Sequence, residues 1–404
     1  MDTEALKSSL PNLHSAAVSE TELMDRAIDY TRPLGEYPTI SDIIDHLSLG
    51  ERPRHIYTDS LNKGGVAVQD SMESYLSNPS LSSGMLKESL KTPLHLAFAL
   101  EGDKKELEKL QGEKAHFNLG NYLHQAILEP TKFSRAIVEP KYSLASKEGV
   151  KVGIDFWERE IESRKEGVNE KGEAITSQEV FDLAIKDVTD LGLDIEKQDG
   201  KKTYLKALKC FSGLEAVTEE NYLKIQILKN HYEEYGGGIL KRLLLHSKRE
   251  ISLYGKDETT GLDVKVRPDA LQFKENIGVD AVISVKSSGI EDLRAFYYQA
   301  AKLHYDLSEG MYQQVATQVT GRDFNTTITV MLQTVAPFAV AVMVWSPEDI
   351  ETGKYKYRTA LEITKRAFDS NEFPGYDSFS ESGDFGLIQM HLPQWNNQEF
   401  LPNN

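Results

Sequence analysis

The 404-residue chain has a single cysteine, Cys210, so neither an internal disulfide framework nor a multi-cysteine zinc site can form. A lone thiol suits a reducing compartment, and a cytoplasmic location is expected. No run approaches the roughly 18 uninterrupted apolar residues of a membrane span. The longest candidate, Val335 to Trp345, is short and contains Pro337. The opening MDTEALKSSLPNLHS is polar and acidic, without the basic start and apolar run of an export signal. A soluble protein with no membrane partner is expected. Basic charge is also in deficit: 46 Lys and Arg against 63 Asp and Glu give −17, which excludes a histone-like hold on polyanions by bulk attraction. A nucleic-acid enzyme is not excluded, because a local basic groove can sit on an acidic body and a bound divalent cation reverses the sign at its site. Phosphate-cradling loops are missing too. YGGGIL (Tyr235–Leu240) has neither GxGxxG nor GxxxxGKS/T spacing and reads as a hinge.

With 40% hydrophobic and 27% charged residues the chain can bury a sizeable core. Residues 1–70 are mixed in charge and punctuated by Pro, Gly and Asn, with one helical candidate, Ser41–Leu47, opening on a serine cap. They read as an accessory arm. Compact packing is expected from Tyr75 onward, where Ser82 or Ser83 precedes an amphipathic run that Pro93 breaks or restarts. In FNLGNYLHQAILEP, Leu119, Tyr122, Leu123, Ala126 and Ile127 form a buried helical stripe ended by Pro130. Gly120 and His124 lie four apart on an adjacent face, which lets the backbone approach something closely beside an imidazole; a structural histidine is the plainer alternative.

Residues of about 141–245 read as a charged, largely helical insertion, with Ser177 capping one helix and Gly192 stopping it. Strands follow in REISLY, LDVKVRPD and VDAVISVKSS, then a long amphipathic helical stretch from about Glu291 to Val319, two strands in TTITVMLQ and FAVAVMVW, and a last helix ending at NEFPGY. The expected class is α/β: a mixed central β-sheet flanked by helices. Cys210 reads as a packed helix end. His95, His116, His246 and His304 lack HExxH or Cys/His spacing and read as surface or packing residues. The basic run Lys241–Arg249 either borders a DNA channel or forms a solvated helix face.

Chemistry concentrates on two strands. Alternation places Asp263, Lys265, Arg267 and, if the strand runs past Pro268, Asp269 on one face of LDVKVRPD, and groups Asp280, Val282, Ser284 and Lys286 on the next. Carboxylates can hold a divalent cation there while a lysine steadies a phosphate or an attacking water, so phosphodiester cleavage is the natural reaction class. The plain alternative is a charged, solvated sheet face.

In order along the chain, YLSNPSLSSGMLKESLKTPLHLAFAL, LGNYLHQAILEP, REISLY, TGLDVKVRPD, ISVKSS with AFYYQAAKLHYD, and QTVAPFAVAVMVWSPEDIETGKYKYRTAL to FPGY resemble blocks of the RecE-type exonucleases. These are the exodeoxyribonuclease VIII-like family of the PD-(D/E)xK nuclease superfamily. The resemblance covers residues of about 71–404, leaving residues 1–70 outside. It implies a PD-(D/E)xK core and a Mg²⁺ (or Mn²⁺) dependent exonuclease acting on double-stranded DNA ends in phage-type recombination. It also implies a homo-oligomeric ring and a single-strand annealing protein as partner. Carried over by position, His124 and Asp269 become metal ligands and Lys286 orients water and stabilises phosphate charge. Glu250 becomes an acidic residue contacting metal directly or through water. Gln299, with Tyr298 and Tyr305, becomes the support for the DNA backbone, although Leu303 stands where a tyrosine is expected. Arg267, or Ser287 with Ser288, would steady the phosphate.

The departure is Ser284, at a metal-ligand position that is acidic in the family. Asp280 lies roughly 13 Å away along an extended strand and cannot replace it without a bend. Two readings stay open. Either Glu250 or a water on Ser284 completes the coordination, or the chain is a catalytically impaired nuclease-fold protein that binds DNA ends or a protein partner.

Overall fold

The computed structural model describes residues 32–48, 55–101, 115–381 and 383–390. Residues 1–31 of the expected arm lie outside them. The first elements are α1 (Ile40–Ser48), β1 (Val66–Val68), α2 (Met72–Ser77), α3 (Ser83–Lys91), α4 (Pro93–Glu101), α5 (Ala115–Leu128), α6 (Pro130–Phe133) and β2 (Ala136–Val138). Ser82 caps α3 by accepting from Met85 N, and Pro93 restarts the chain as α4, as the sequence indicates. The cap of α1 is Thr39 rather than Ser41: Thr39 and Asp42 exchange side-chain to backbone bonds, the reciprocal box that satisfies two free N–H groups.

The arm does not stand apart. Ile43 and Leu47 of α1 enter the main apolar core, Tyr57 stacks on Phe273 at 4.4 Å, and β1 pairs antiparallel with a later strand. Its apolar residues are too sparse to show a period, yet Tyr37, Ile43, Leu47 and Tyr57 are buried; the boundary at residue 70 is therefore not a boundary in packing.

Next come α7 (Lys147–Arg164), β3 (Glu166–Val168), β4 (Ala174–Thr176), α8 (Ser177–Asp190), α9 (Gln198–Phe211), β5 (Glu215–Val217), α10 (Glu219–Glu234) and α11 (Ile239–Leu244). Helices α7 to α9 pack around Trp157, Ile161, Val180 and Leu208 in a cluster of their own. The parallel pair β2 and β5 closes the neck of this insertion. The insertion is thus narrower than 141–245, because α10 and α11 bury Ile225, Leu228, Leu240 and Leu244 in the main core. Thr176, not Ser177, caps α8, in a capping box with Glu179, while Gly192 at φ +66° ends it. Cys210 is exposed rather than packed. Gly236, Gly237 and Gly238 all have positive φ and make the sharp break between α10 and α11.

The chain ends with β6 (Lys248–Arg249), β7 (Ser252–Lys256), β8 (Asp263–Val266), β9 (Ala270–Gln272), α12 (Lys274–Ile277), β10 (Ala281–Ser288), α13 (Leu293–Lys302), α14 (Tyr305–Thr320), β11 (Thr326–Gln333), β12 (Val340–Val344) and α15 (Pro347–Ser370). A five-stranded sheet runs β12-β11-β10-β9-β6, parallel only between β10 and β11, and a three-stranded sheet runs β1-β7-β8. The fold is mixed α/β, with helices on both faces of the larger sheet. Alternation on β10 sends Ala281, Ile283 and Val285 to the core shared with α5, α10 and α11, and Val282 to the core shared with α14 and α15. The helical stretch expected over 291–319 is present, divided into two helices. His304 takes φ +48° and resets the helical phase between α13 and α14.

Among the described residues, no helix is long and apolar enough to cross a membrane.

Candidate metal centre

Strands β6 to β9 form one long bent hairpin. The register pairing Lys248 with Leu271 and Arg249 with Ala270 is the register that later pairs Leu253 with Val266. Between the two ladders Glu250 adopts φ +53° and Pro268 has no N–H to donate, so the hairpin leaves the larger sheet and joins the smaller one there. Glu250 N still donates to Asp269 O at 3.2 Å, which sets the two acids opposite each other at the bend. Like charges directly opposite across a strand pair repel, so this pair calls for a cation between or beside it.

Helix α5 supplies one. A Cβ on Gly120 would lie 2.7 Å from Ser287 Oγ, so this glycine lets α5 lie close against β10. One turn later, His124 Nε2 is 2.9 Å from Asp269 Oδ1 and Nδ1 is 3.4 Å from Glu250 Oε1. The expected closeness beside Gly120 is present, and the imidazole is not a bystander. Asp269 Oδ2 also accepts from Val285 N on β10. Lys286, on the same strand, is held above its usual pKa: burial alone would lower it, but Asp269 and Glu309 favour the charged form. Burial likewise opposes charge on His124, and the Asp269 and Glu250 carboxylates outweigh it, so its pKa is raised. Glu250 is pushed up by burial and by Asp269. Burial would also raise Asp269, but His124 and Lys286 hold it below the usual carboxylate range.

One atom each from His124, Glu250 and Asp269 lie within 4.8 Å of one another, close enough to share one divalent cation. Glu250 Oε1 is buried and makes no hydrogen bond. Two hard carboxylates and one imidazole suit a small divalent ion, and an oxygen with no hydrogen bond at the centre of the set fits that use.

The other expected site residues divide. Ser284 Oγ donates to Glu309 Oε2 at 2.8 Å. Tyr305 lies beside the lysine, with Lys286 Nζ 5.8 Å and Lys87 Nζ 5.5 Å from its ring centre. Ser288 Oγ is 2.5 Å from Gln299 Oε1, which ties α13 to the end of β10, and Ser287 is exposed beside Gly120. Tyr298 is 66% exposed and packs against Arg294.

Arg267 is not placed to grip a phosphate. Its buried guanidinium donates to Glu250 Oε2 (3.0 Å), Asp70 Oδ1 (2.8 Å) and Ser252 Oγ (2.8 Å). The face expected on LDVKVRPD does not converge either. Asp263 is exposed, and Lys265 is buried with its Nζ 2.7 Å from Tyr75 O and 2.5 Å from Asn78 O. Asp280 serves Arg322 and Lys274 N at the far end of β10. In the basic run, Arg249 caps helix ends by donating to Leu128 O and Leu244 O. His95 packs on Thr92 and Tyr376, and the side chain of His116 lies outside the described residues.

Sequence reasoning missed Glu309, Tyr312 and Lys87. Tyr305, Glu309 and Tyr312 fall at i, i+4 and i+7 of α14, a signal visible only once the helix starts at Tyr305. Burial pushes Tyr312 up to about 12, and burial with Lys286 nearby lowers Lys87 to about 8.

No family model matches the chain, and no curated protein matches it. Among solved structures it is similar to a crystal structure named "Putative exonuclease" from Eubacterium rectale, at 12% identity and a TM-score of 0.42, covering 83% of this chain and 100% of that one. A likeness this slight carries no functional argument.

Proposed function

We propose that this protein is a metal-dependent nuclease that hydrolyses phosphodiesters at the ends of double-stranded DNA. The observation that supports it is the meeting of His124, Glu250 and Asp269 around one point, with Lys286 on the neighbouring strand, one residue past the Val285 N–H from which Asp269 accepts. His124, Glu250 and Asp269 would hold Mg²⁺ or Mn²⁺. Such an ion, when bound, polarises a phosphoryl oxygen and lowers the pKa of a coordinated water.

The chain's own groups do the rest. Lys286 stays protonated, so it is a poor general base; it acts as a fixed positive charge that meets the build-up of negative charge on the phosphate. Val285 N holds Asp269 Oδ2, which keeps this carboxylate aimed and leaves Oδ1 for the ion. Tyr305, between two lysines, can help confine the phosphate among cations. The double-stranded end, the recombination setting, the annealing partner and the ring implied by the sequence resemblance belong to this proposal.

The test is digestion of an end-labelled linear duplex with Mg²⁺ or Mn²⁺ by the parent, Asp269→Ala and Lys286→Ala. Cation-dependent digestion lost in both variants supports the enzyme. A parent that binds the duplex without digesting it overturns it in favour of a non-catalytic binding module.

A further inference from the structure

The register that pairs Ile283 with Ala270 brings Ser284 next to Asp269, and Asp269 is next to Glu250. Three neighbouring places across the sheet thus carry acid, acid and hydroxyl. The hydroxyl place is not empty of charge, because Ser284 Oγ donates at 2.8 Å to Glu309, which arrives from α14. An aspartate or glutamate at position 284 would reach into the space that the Glu309 carboxylate fills.

Glu309 has 0% exposure, and its second oxygen, Oε1, has no hydrogen-bond partner. Its nearest cation, Lys286 Nζ, is 4.0 Å away, beyond hydrogen-bond length. Leaving one oxygen of a buried carboxylate unserved is costly, which favours a ligand for it. The helix carrying it is rigidly placed. A Cβ on Gly310 would lie 2.6 Å from Lys354 N, and one on Gly353 would lie 2.0 Å from Asp306 O, so α14 and α15 meet backbone to backbone.

We propose that Glu309 supplies, from a helix, the third carboxylate of the cation site that β10 lacks, with the Ser284 hydroxyl orienting it and Oε1 serving the ion. The inference rests on the metal-centre reading above and extends it to a residue outside the three-residue cluster.

The experiment measures Mn²⁺ affinity of the full chain by calorimetry, together with duplex digestion, for Glu309→Gln, Ser284→Asp, the double variant Ser284→Asp/Glu309→Gln, and Asp269→Ala. Glu309→Gln should weaken Mn²⁺ binding by about 10- to 100-fold, and the double variant should regain most of that loss. Ser284→Asp alone should gain nothing, because its carboxylate would meet that of Glu309. Should Glu309→Gln not fold, Glu309→Asp, which withdraws the carboxylate by one methylene, should weaken Mn²⁺ in the same direction. Mn²⁺ affinity within twofold of the parent in the folded Glu309 variant, alongside a clear loss in Asp269→Ala, overturns this inference alone and makes Glu309 a partner of Lys286 only. Unchanged affinity in Asp269→Ala as well overturns the metal centre with it.

Discussion

Replacing Arg267 by alanine separates a structural guanidinium from a phosphate-binding one. The Arg267 side chain is 7% exposed, and the Glu250 and Asp70 carboxylates it joins are 8% and 15% exposed. Removing one partner from a buried ion pair costs about 3–5 kcal/mol, since the charge left behind stays desolvated. Asp70 keeps the hydroxyls of Ser252 and Tyr254, which moderates its share, so the lower end, about 3 kcal/mol, is expected. That corresponds to a shift on the order of a hundredfold in the folding equilibrium. In equilibrium urea unfolding with a slope of about 3 kcal/mol/M, the midpoint should fall by about 1 M. Arg267→Lys should recover part of this, because one ammonium cannot bridge both acids and Ser252 at once. A change within about 0.5 kcal/mol, accompanied by weaker duplex binding, would refute the reasoning and return Arg267 to the DNA.

Other outcomes follow from features already described. Lys87, lowered to about 8 by burial and by Lys286, loses its proton more readily folded than unfolded. Its contribution to stability should therefore rise as pH climbs from about 8 toward the unfolded value near 10.5; a Lys87 amine titrating near 10.5 by NMR would contradict this. Gly353→Ala should destabilise by about 1–3 kcal/mol or more, because the atom struck is backbone and α15 must move; unchanged urea stability would show that the two helices can part freely. Trp157→Ala should remove about 3–5 kcal/mol from the insertion, whose cluster it fills while donating to Glu139 at 2.7 Å. Its effect should be visible as faster hydrogen exchange in residues 136–217, with Mn²⁺ affinity unchanged. Exchange that accelerates equally in β10 would join insertion and sheet into one unfolding unit.

Local pattern made some of this legible. The period-two apolar series of β10 gave its faces, and the four-residue spacing of Gly120 and His124 gave the approach of α5. Asp269, Lys286, Glu250 and His124 were named from the sequence resemblance; the fold brings His124, Glu250 and Asp269 together, with Lys286 on the strand beside them. What failed was extrapolation through breaks. Alternation along LDVKVRPD grouped Arg267 with Asp263 and Lys265 and could not foresee the bend at Pro268 and Glu250, where Arg267 is held by Glu250 and Asp70 instead. Nothing in the helical stretch over 291–319 marked the break at His304, and without it Glu309 could not be aligned with Tyr305. The placement of Glu309 against Ser284 depends on how α14 crosses the sheet, which no local pattern encodes.

The bend in the β6–β9 hairpin has a consequence for dissecting the chain. Its outer arm, residues 252–266, leaves the larger sheet beside one acid and returns beside the other. The turn at its tip could be trimmed, but excising the whole arm would splice together the two stems that carry the charge. Neither sheet by itself holds the pair in opposition, so no fragment ending inside this arm should inherit ion binding. Minimal versions of the protein must be cut outside it.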